Sequence, residues 1–336
     1  MKHPRVFLWL LLLLSWNLTA CNNDDTDPAD EILGDWTSRS QFEGLARSAA
    51  VSFTINGKAY VGLGTDGTEK FQDFWEYTPS TNTWRQIADF PGVGRHQAVA
   101  FEAGGKGYVG TGYDGVNRLK DFYEYDPGTN KWTRKADFGG SARYAAVGLS
   151  IEGKGYVGTG YDGNFKKDFW QYDPGTDTWT QKPSFGGNKR LGAVAFTLNG
   201  TGYIFTGSDN GVLQTDMWAY NPATEQWTER RTLTLNDDDV AGENYDYSAL
   251  PRTNAVSFVV NNLGYLALGN SNGYRSDCWV YDPSEDTWTQ KTAFEGAARI
   301  QAVAFGLGDL GYIGLGTSSS TRLDDFWQLA PDAESE

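Results

Sequence analysis

Five tryptophans recur along the chain, and each stands eleven residues after an aspartate: Asp73/Trp84, Asp121/Trp132, Asp168/Trp179, Asp216/Trp227 and Asp277/Trp288. Each aspartate follows an arginine by 25 or 26 residues: Arg47, Arg95, Arg143, Arg190 and Arg252. A sixth pair, Arg299 and Asp325, comes last, and its tryptophan would fall at position 336. A period of about 48 residues means one structural unit used repeatedly, each copy burying its apolar face on the next. The missing piece lies at the other end. GDWTSRSQFEG (34–44) has the spacing of NKWTRKADFGG (130–140), and Trp36 precedes Arg47 by eleven residues, as Trp84 precedes Arg95. The N-terminal segment therefore reads as the fourth strand of the last unit, which makes six units closed by a strand from the opposite terminus.

The period also bears on a local motif. GKGYVGTGYDG occurs at 105–115 and again at 153–163, and its GTGYDG fits the G-x-G-x-x-G dinucleotide fingerprint. That fingerprint needs a helix leaving the glycines, whose N-terminus meets the pyrophosphate. The residues that follow alternate aromatics and then reach a D-P-G turn, which is strand patterning. The glycines are expected to serve close packing in a strand instead.

Each unit reads as four strands. The first is small and apolar, as in QAVAF (97–101), and the second is GYVGTG (107–112). The third is DFYEYDP (121–127), and the fourth begins at the tryptophan after a turn such as PGTN (127–130). Alanine and glycine suit inner strands crowded at an axis, while Trp, Tyr and Phe fill the wedge between diverging outer strands. The expected fold is all-β, a six-bladed β-propeller of four-stranded antiparallel blades over 34–336. The G-x-G of the second strand (GLG 62–64, GTG 110–112 and 158–160, then LGN and GLG) and the pairs Tyr77/Trp84, Tyr125/Trp132, Tyr172/Trp179, Tyr220/Trp227 and Tyr281/Trp288 resemble the Kelch repeat family. The resemblance spans nearly all of 34–336. It implies a propeller scaffold, used in that family for binding and in a few members for catalysis.

Residues 1–20 read as a targeting segment. Lys2 and Arg5 precede an apolar run, 6–14, and Leu18-Thr19-Ala20-Cys21 resembles a lipoprotein signal in which Cys21 is acylated. The run is too short to favour a membrane span. NNDDTDPADE (22–31) then reads as a solvated tether, in a tether region of 21–33. Its acidity resembles surface-export signals of Bacteroidetes-type lipoproteins. The expected location is the bacterial cell envelope, lipid-anchored at the outer membrane, with the side of that membrane left open by the sequence.

With Cys21 lipidated, Cys278 is the only other cysteine, so no disulfide forms within the chain. Cys278 takes the Phe position of D-F-W and reads as a packed thiol. The chain carries a net −15; losing Lys2 and Arg5 leaves 26 basic and 43 acidic side chains, a net −17. Such a charge argues against nucleic acid and against an anionic membrane surface as partners. A monomer is expected.

The arginine opens strand one and the G-x-G closes strand two, so both lie on one face of the propeller. The longer loops gather there: TDGTEKFQ (65–72), YDGVNRLK (113–120), YDGNFKK (161–167) and SDNGVLQT (208–215). Loops on a rigid scaffold carry function more often than the scaffold does. The period breaks once on this face. Trp to next Arg is eleven residues in five units but 25 from Trp227 to Arg252, the excess lying around NDDDVAGENYDYSAL (236–250). Asp237–Asp239 lack the alternate spacing of an EF-hand loop, and no metal is expected.

The arginines carry two readings: six Arg–Asp pairs pinning strand one to strand three, or a ring gripping an anionic ligand. On the second, Arg95, Arg143, Arg190 and Arg252 would bind ligand. The position after the arginine differs between units (Ser48, His96, Tyr144, Leu191, Thr253, Ile300), and His96 and Tyr144 could line one side of a mouth. Glu243 and Tyr245 of the insertion join them as candidates. Tyr113, Tyr161, Phe165, Tyr245 and Tyr247 would suit sugar stacking.

Galactose oxidase has a Kelch-type propeller, but its copper site needs several His and Tyr ligands and a Tyr–Cys crosslink. Beyond residue 20 this chain has one histidine, His96, and copper oxidation is rejected. The leading expectation is a non-catalytic propeller that binds a glycan or a protein without cofactor. The alternative is a sugar mutarotase, as in the six-bladed Kelch proteins that act on sialic acid, with Glu243 as base and Arg252 or Arg190 for the carboxylate.

Overall fold

A computed structural model of the chain describes residue 1 and residues 33–234 and 246–333. The expected leader, Cys21, the tether up to residue 32, Glu243 and Tyr245 lie outside them. The described residues form six four-stranded antiparallel blades and no helix. Blade 2 is typical: Val99–Ala103, Lys106–Gly110, Phe122–Asp126 and Lys131–Lys135, paired in that order. The last blade takes three strands from Val303–Leu307, Leu310–Gly314 and Phe326–Ala330 and its fourth from Asp35–Arg39, with Asp35 opposite Ala330. The expected closure is therefore present.

The strands explain the periodic residues. The fourth-strand tryptophan of each blade packs on the blade before it: Trp132 on Phe74, Trp179 on Phe122, Trp227 on Phe169 and, across the closure, Trp84 on Phe326, with centroids 4.9–5.1 Å apart. These contacts fill the wedge between blades. The axis is lined by small side chains, among them Ala50, Ala146, Ala193, Ala255 and Ala302, around a cavity of about 190 Å³.

The first glycine of each G-x-G makes room for a ring. Gly62, Gly110, Gly158 and Gly314 face Phe74, Phe122, Phe169 and Phe326 on strand three, and a Cβ at any of them would meet that phenylalanine. Two blades depart from the motif and compensate. Where strand three offers Met217, strand two has Phe205; where it offers Cys278, strand two has Ala267. Glycine is needed only where strand three carries the phenylalanine; without that ring a side chain on strand two occupies the space, as close packing demands. Cys278 is the buried thiol expected, and burial pushes it up to about 12.

The expected strand limits shift by two residues. Strand one of blade 2 begins at Val99, not Gln97, because Gln97 takes a left-handed φ of 52°. Strand two ends at Gly110, because Thr111 and Gly112 also turn left-handed, with φ of 58° and 96°. Both departures serve closed rings of hydrogen bonds. The N–H of Gln97 donates to the carbonyl of Ala49, and Ala145, Gly192, Asn254, Gln301 and Ala49 continue around the axis at 2.8–3.2 Å. The N–H of Gly112 donates to Arg143 of the next blade at 2.7 Å, and all six blades repeat this bond. Backbone groups that would be orphaned where strands end are thus satisfied between blades.

Candidate ligand-binding mouth

Each of the six arginines is fully buried and tied to its own aspartate. In blade 2 the Arg95 guanidinium donates through Nη1 and Nη2 to the two Asp121 oxygens at 2.6 and 2.8 Å, through Nη1 to the Thr111 carbonyl and through Nε to the Val93 carbonyl. Its outer face lies 4.9 Å from the Phe90 centroid. The left-handed Thr111 is what aims that carbonyl. Burial opposes ionisation of Asp73, Asp168, Asp277 and Asp325, but hydrogen bonds and charge from the arginines outweigh it and hold these carboxyls below the usual range. The pairing reading accounts for the geometry. The ligand-gripping assignment for Arg95, Arg143, Arg190 and Arg252 finds no exposed guanidinium, because desolvated charges must be fully partnered to stay buried.

Above the arginines each blade continues as a short ladder. The residue after the arginine pairs with the residue after the G-x-G: Ser48 with Thr65, His96 with Tyr113, Tyr144 with Tyr161, Leu191 with Ser208, Thr253 with Asn270 and Ile300 with Thr317. In blades 2 and 3 all four positions carry rings. His96 meets Tyr113 at 5.7 Å, Tyr113 meets Tyr144 at 5.4 Å, Tyr144 meets Tyr161 at 5.7 Å and Tyr161 meets Phe165 at 5.2 Å. Arg118 stands over Tyr161, 5.3 Å from its centroid. The result is one half-buried aromatic run across two blades, on the face with the long loops.

The loops beneath this run are locked. Asp114 accepts the N–H groups of Val116 and Asn117. Asp162 accepts from Ser141, from the N–H of Asn164 and from Lys166; burial opposes, yet these contacts bring its carboxyl to about 2. His96 is held below its ordinary value by burial and then by the charge of Lys70, so its ring is neutral near pH 7. Burial raises Tyr144, keeping its hydroxyl protonated.

His96 and Tyr144, expected to share one side of a mouth, are joined through Tyr113, and Tyr161 and Phe165 extend the same run. Tyr247 does not belong to it. It is buried between blades 4 and 5 with Leu233 and Leu250, and its hydroxyl accepts the N–H of Trp288. The sequence carries the signal: Tyr247 lies five residues before Arg252, as Phe42, Phe90, Phe138, Phe185 and Phe294 lie before their arginines. It fills the Phe position of the repeat, so this flank of the insertion is core. Sequence reasoning missed Arg118 and Lys70 although both stand 23 residues after the arginine of their blade, as Lys166, Arg275 and Arg322 do after theirs. Among the described residues no group of acidic, histidine and cysteine side chains could hold a metal ion.

Residues 92–242 match the family model of the KLHDC2/KLHL20/DRC7 Kelch-repeats domain. Among curated proteins none matches the sequence. A solved structure titled "Structure of YjhT" superposes with a TM-score of 0.71, covering 86% of this chain and 95% of that one at 16% identity, a likeness of fold. With six blades of one repeated pattern and a repeat model matching residues 92–242, the chain is a six-bladed β-propeller that carries Kelch repeats over that span.

Proposed function

We propose that the chain is a non-catalytic carbohydrate-binding propeller, anchored to the cell envelope by lipid on Cys21, that holds sugar rings on the mouth of blades 2 and 3. The observation that carries this reading is the aromatic run from His96 to Phe165. Sugars present apolar C–H faces that stack on rings, and their hydroxyls find partners in Tyr hydroxyls and a neutral imidazole. The rings are pre-placed by locked loops, which lowers the ordering cost of binding. The scaffold repeats six times, but the rings occur in two adjacent blades only, as expected of a site rather than of packing. The mutarotase alternative needs an exposed guanidinium, which neither Arg190 nor Arg252 offers, and Glu243 lies outside the described residues.

Glycan-array capture tests the reading. Tyr144→Ala is expected to weaken sugar binding about tenfold, or about 1.4 kcal/mol, with little change in melting temperature because the ring is only half-buried. If no sugar is captured, or if capture survives Tyr144→Ala together with Tyr161→Ala, the reading is wrong. The anchor has its own check. Cys21→Ser is expected to abolish acyl labelling and release the protein from membranes, whereas membrane retention without acylation would identify an uncleaved N-terminal anchor.

A further inference from the structure

A second feature adjoins the aromatic run. Between blades 3 and 4, on the same face, a cavity of about 670 Å³ is lined by Phe165, Lys166, Lys167, Gln181, Lys189 and Asp209, among others. Phe165 is also the last ring of the run. The backbone here is held at three points. Lys166 donates its N–H to Gly160, Arg190 to Lys166 and Phe185 to Lys167, at 2.8–3.0 Å. These bonds bring Lys167 and Lys189, distant in sequence, to one cavity.

Their charges are uncommitted. Lys166 is paired with Asp162 at 3.0 Å. Asp168, also on the cavity wall, is occupied by Arg143 and Trp170. Lys167 and Lys189 are exposed and make no ion pair among the described residues. Asp209 is the one other carboxylate of the wall, and Asn210 donates to it. A cavity with two free ammonium groups, on a chain of net charge −15, is a local reversal of sign.

We infer that the cavity beside Phe165 receives an anionic substituent, a carboxylate or a sulfate, of a glycan whose neighbouring rings lie on the aromatic run. The inference rests on the carbohydrate-binding reading and narrows its ligand to acidic saccharides. Lysines serve such a group as mobile point charges, and the surrounding negative field disfavours long polyanions, so one or two acidic units fit better than a densely charged chain.

The test uses the full-length chain and three hexasaccharides of one neutral galactan backbone: one ending in a single galacturonate, the methyl ester of that compound, and one ending in a single galactose 6-sulfate. At low salt both charged probes are expected to bind at least tenfold tighter than the ester. Lys167→Gln with Lys189→Gln is expected to erase that margin and leave the ester unchanged, as is raising the salt to about 0.5 M. Tyr144→Ala is expected to weaken all three alike. The tighter of the two charged probes identifies the substituent. Equal affinity for acid and ester, or a margin that survives the double variant, overturns the inference and leaves the aromatic reading standing. Charged probes bound normally by Tyr144→Ala would overturn the aromatic reading instead and leave the lysine cavity in place.

Discussion

A chain lacking residues 33–45 is expected to lose cooperative folding and to aggregate. The deletion removes Asp35–Arg39, the outer strand of the last blade, and exposes the whole edge of Phe326–Ala330 to other chains. It also removes Trp36, which packs on Phe294 at 5.0 Å and donates to the Thr292 carbonyl, and Phe42, which packs on Trp84. Each buried aromatic contributes about 3–5 kcal/mol, so the pair alone approaches the roughly 5–15 kcal/mol by which a domain is stable. Position, not sequence order, should matter. The N–H of Gly34 already donates to the carbonyl of Ala333 at 2.8 Å, so a circular permutant joining residue 333 to residue 34 and opening after residue 45 keeps every pairing of the blade. It is expected to melt cooperatively as a monomer. A deletion variant with unchanged melting and monomeric behaviour would show that the closure is dispensable.

Asp121→Ala is expected to be the most damaging single substitution within a blade, costing about 3–5 kcal/mol because it strands the buried Arg95 charge. Removing the charge as well should recover much of this. Arg95→Met with Asp121→Leu keeps the volume and leaves only the Thr111 and Val93 carbonyls short of a donor. Urea unfolding of the two variants measures the difference. If both are equally destabilised, the stranded charge is not what makes Asp121→Ala costly. At Arg299 and Asp325 the recovery is expected to be smaller, because the Trp327 indole also donates to Asp325 and loses its acceptor in the double variant.

Much of the mouth's chemistry was legible before the fold. His96 and Tyr144 stood out because they vary at a position where the arginine beside them does not. The arginines themselves were ambiguous, since a guanidinium near an axis serves a ligand or a carboxylate equally well on paper. Burial decided it, and burial is set by the glycine kink that places Thr111 and its counterparts over the guanidinium. Tyr247 was misplaced because the insertion drew attention to its composition and away from its register. Counted from Arg252 it is a core residue, and the structure buries it.

By itself the sequence determined the blade number, the strand order and the closure by the N-terminal segment. These follow from a fixed period, because units of equal length bury equal faces and place equal residues alike. Only the tertiary structure decided which side chains meet across blades. Tyr113 and Tyr144 lie 31 residues apart in sequence yet touch at 5.4 Å. Lys167 and Lys189 share a wall because Lys166 is bonded to Arg190. Such contacts depend on the angle between neighbouring blades and on where each strand turns left-handed at its end. That angle is set by the volumes wedged between blades, a property of the closed ring and not of any one repeat.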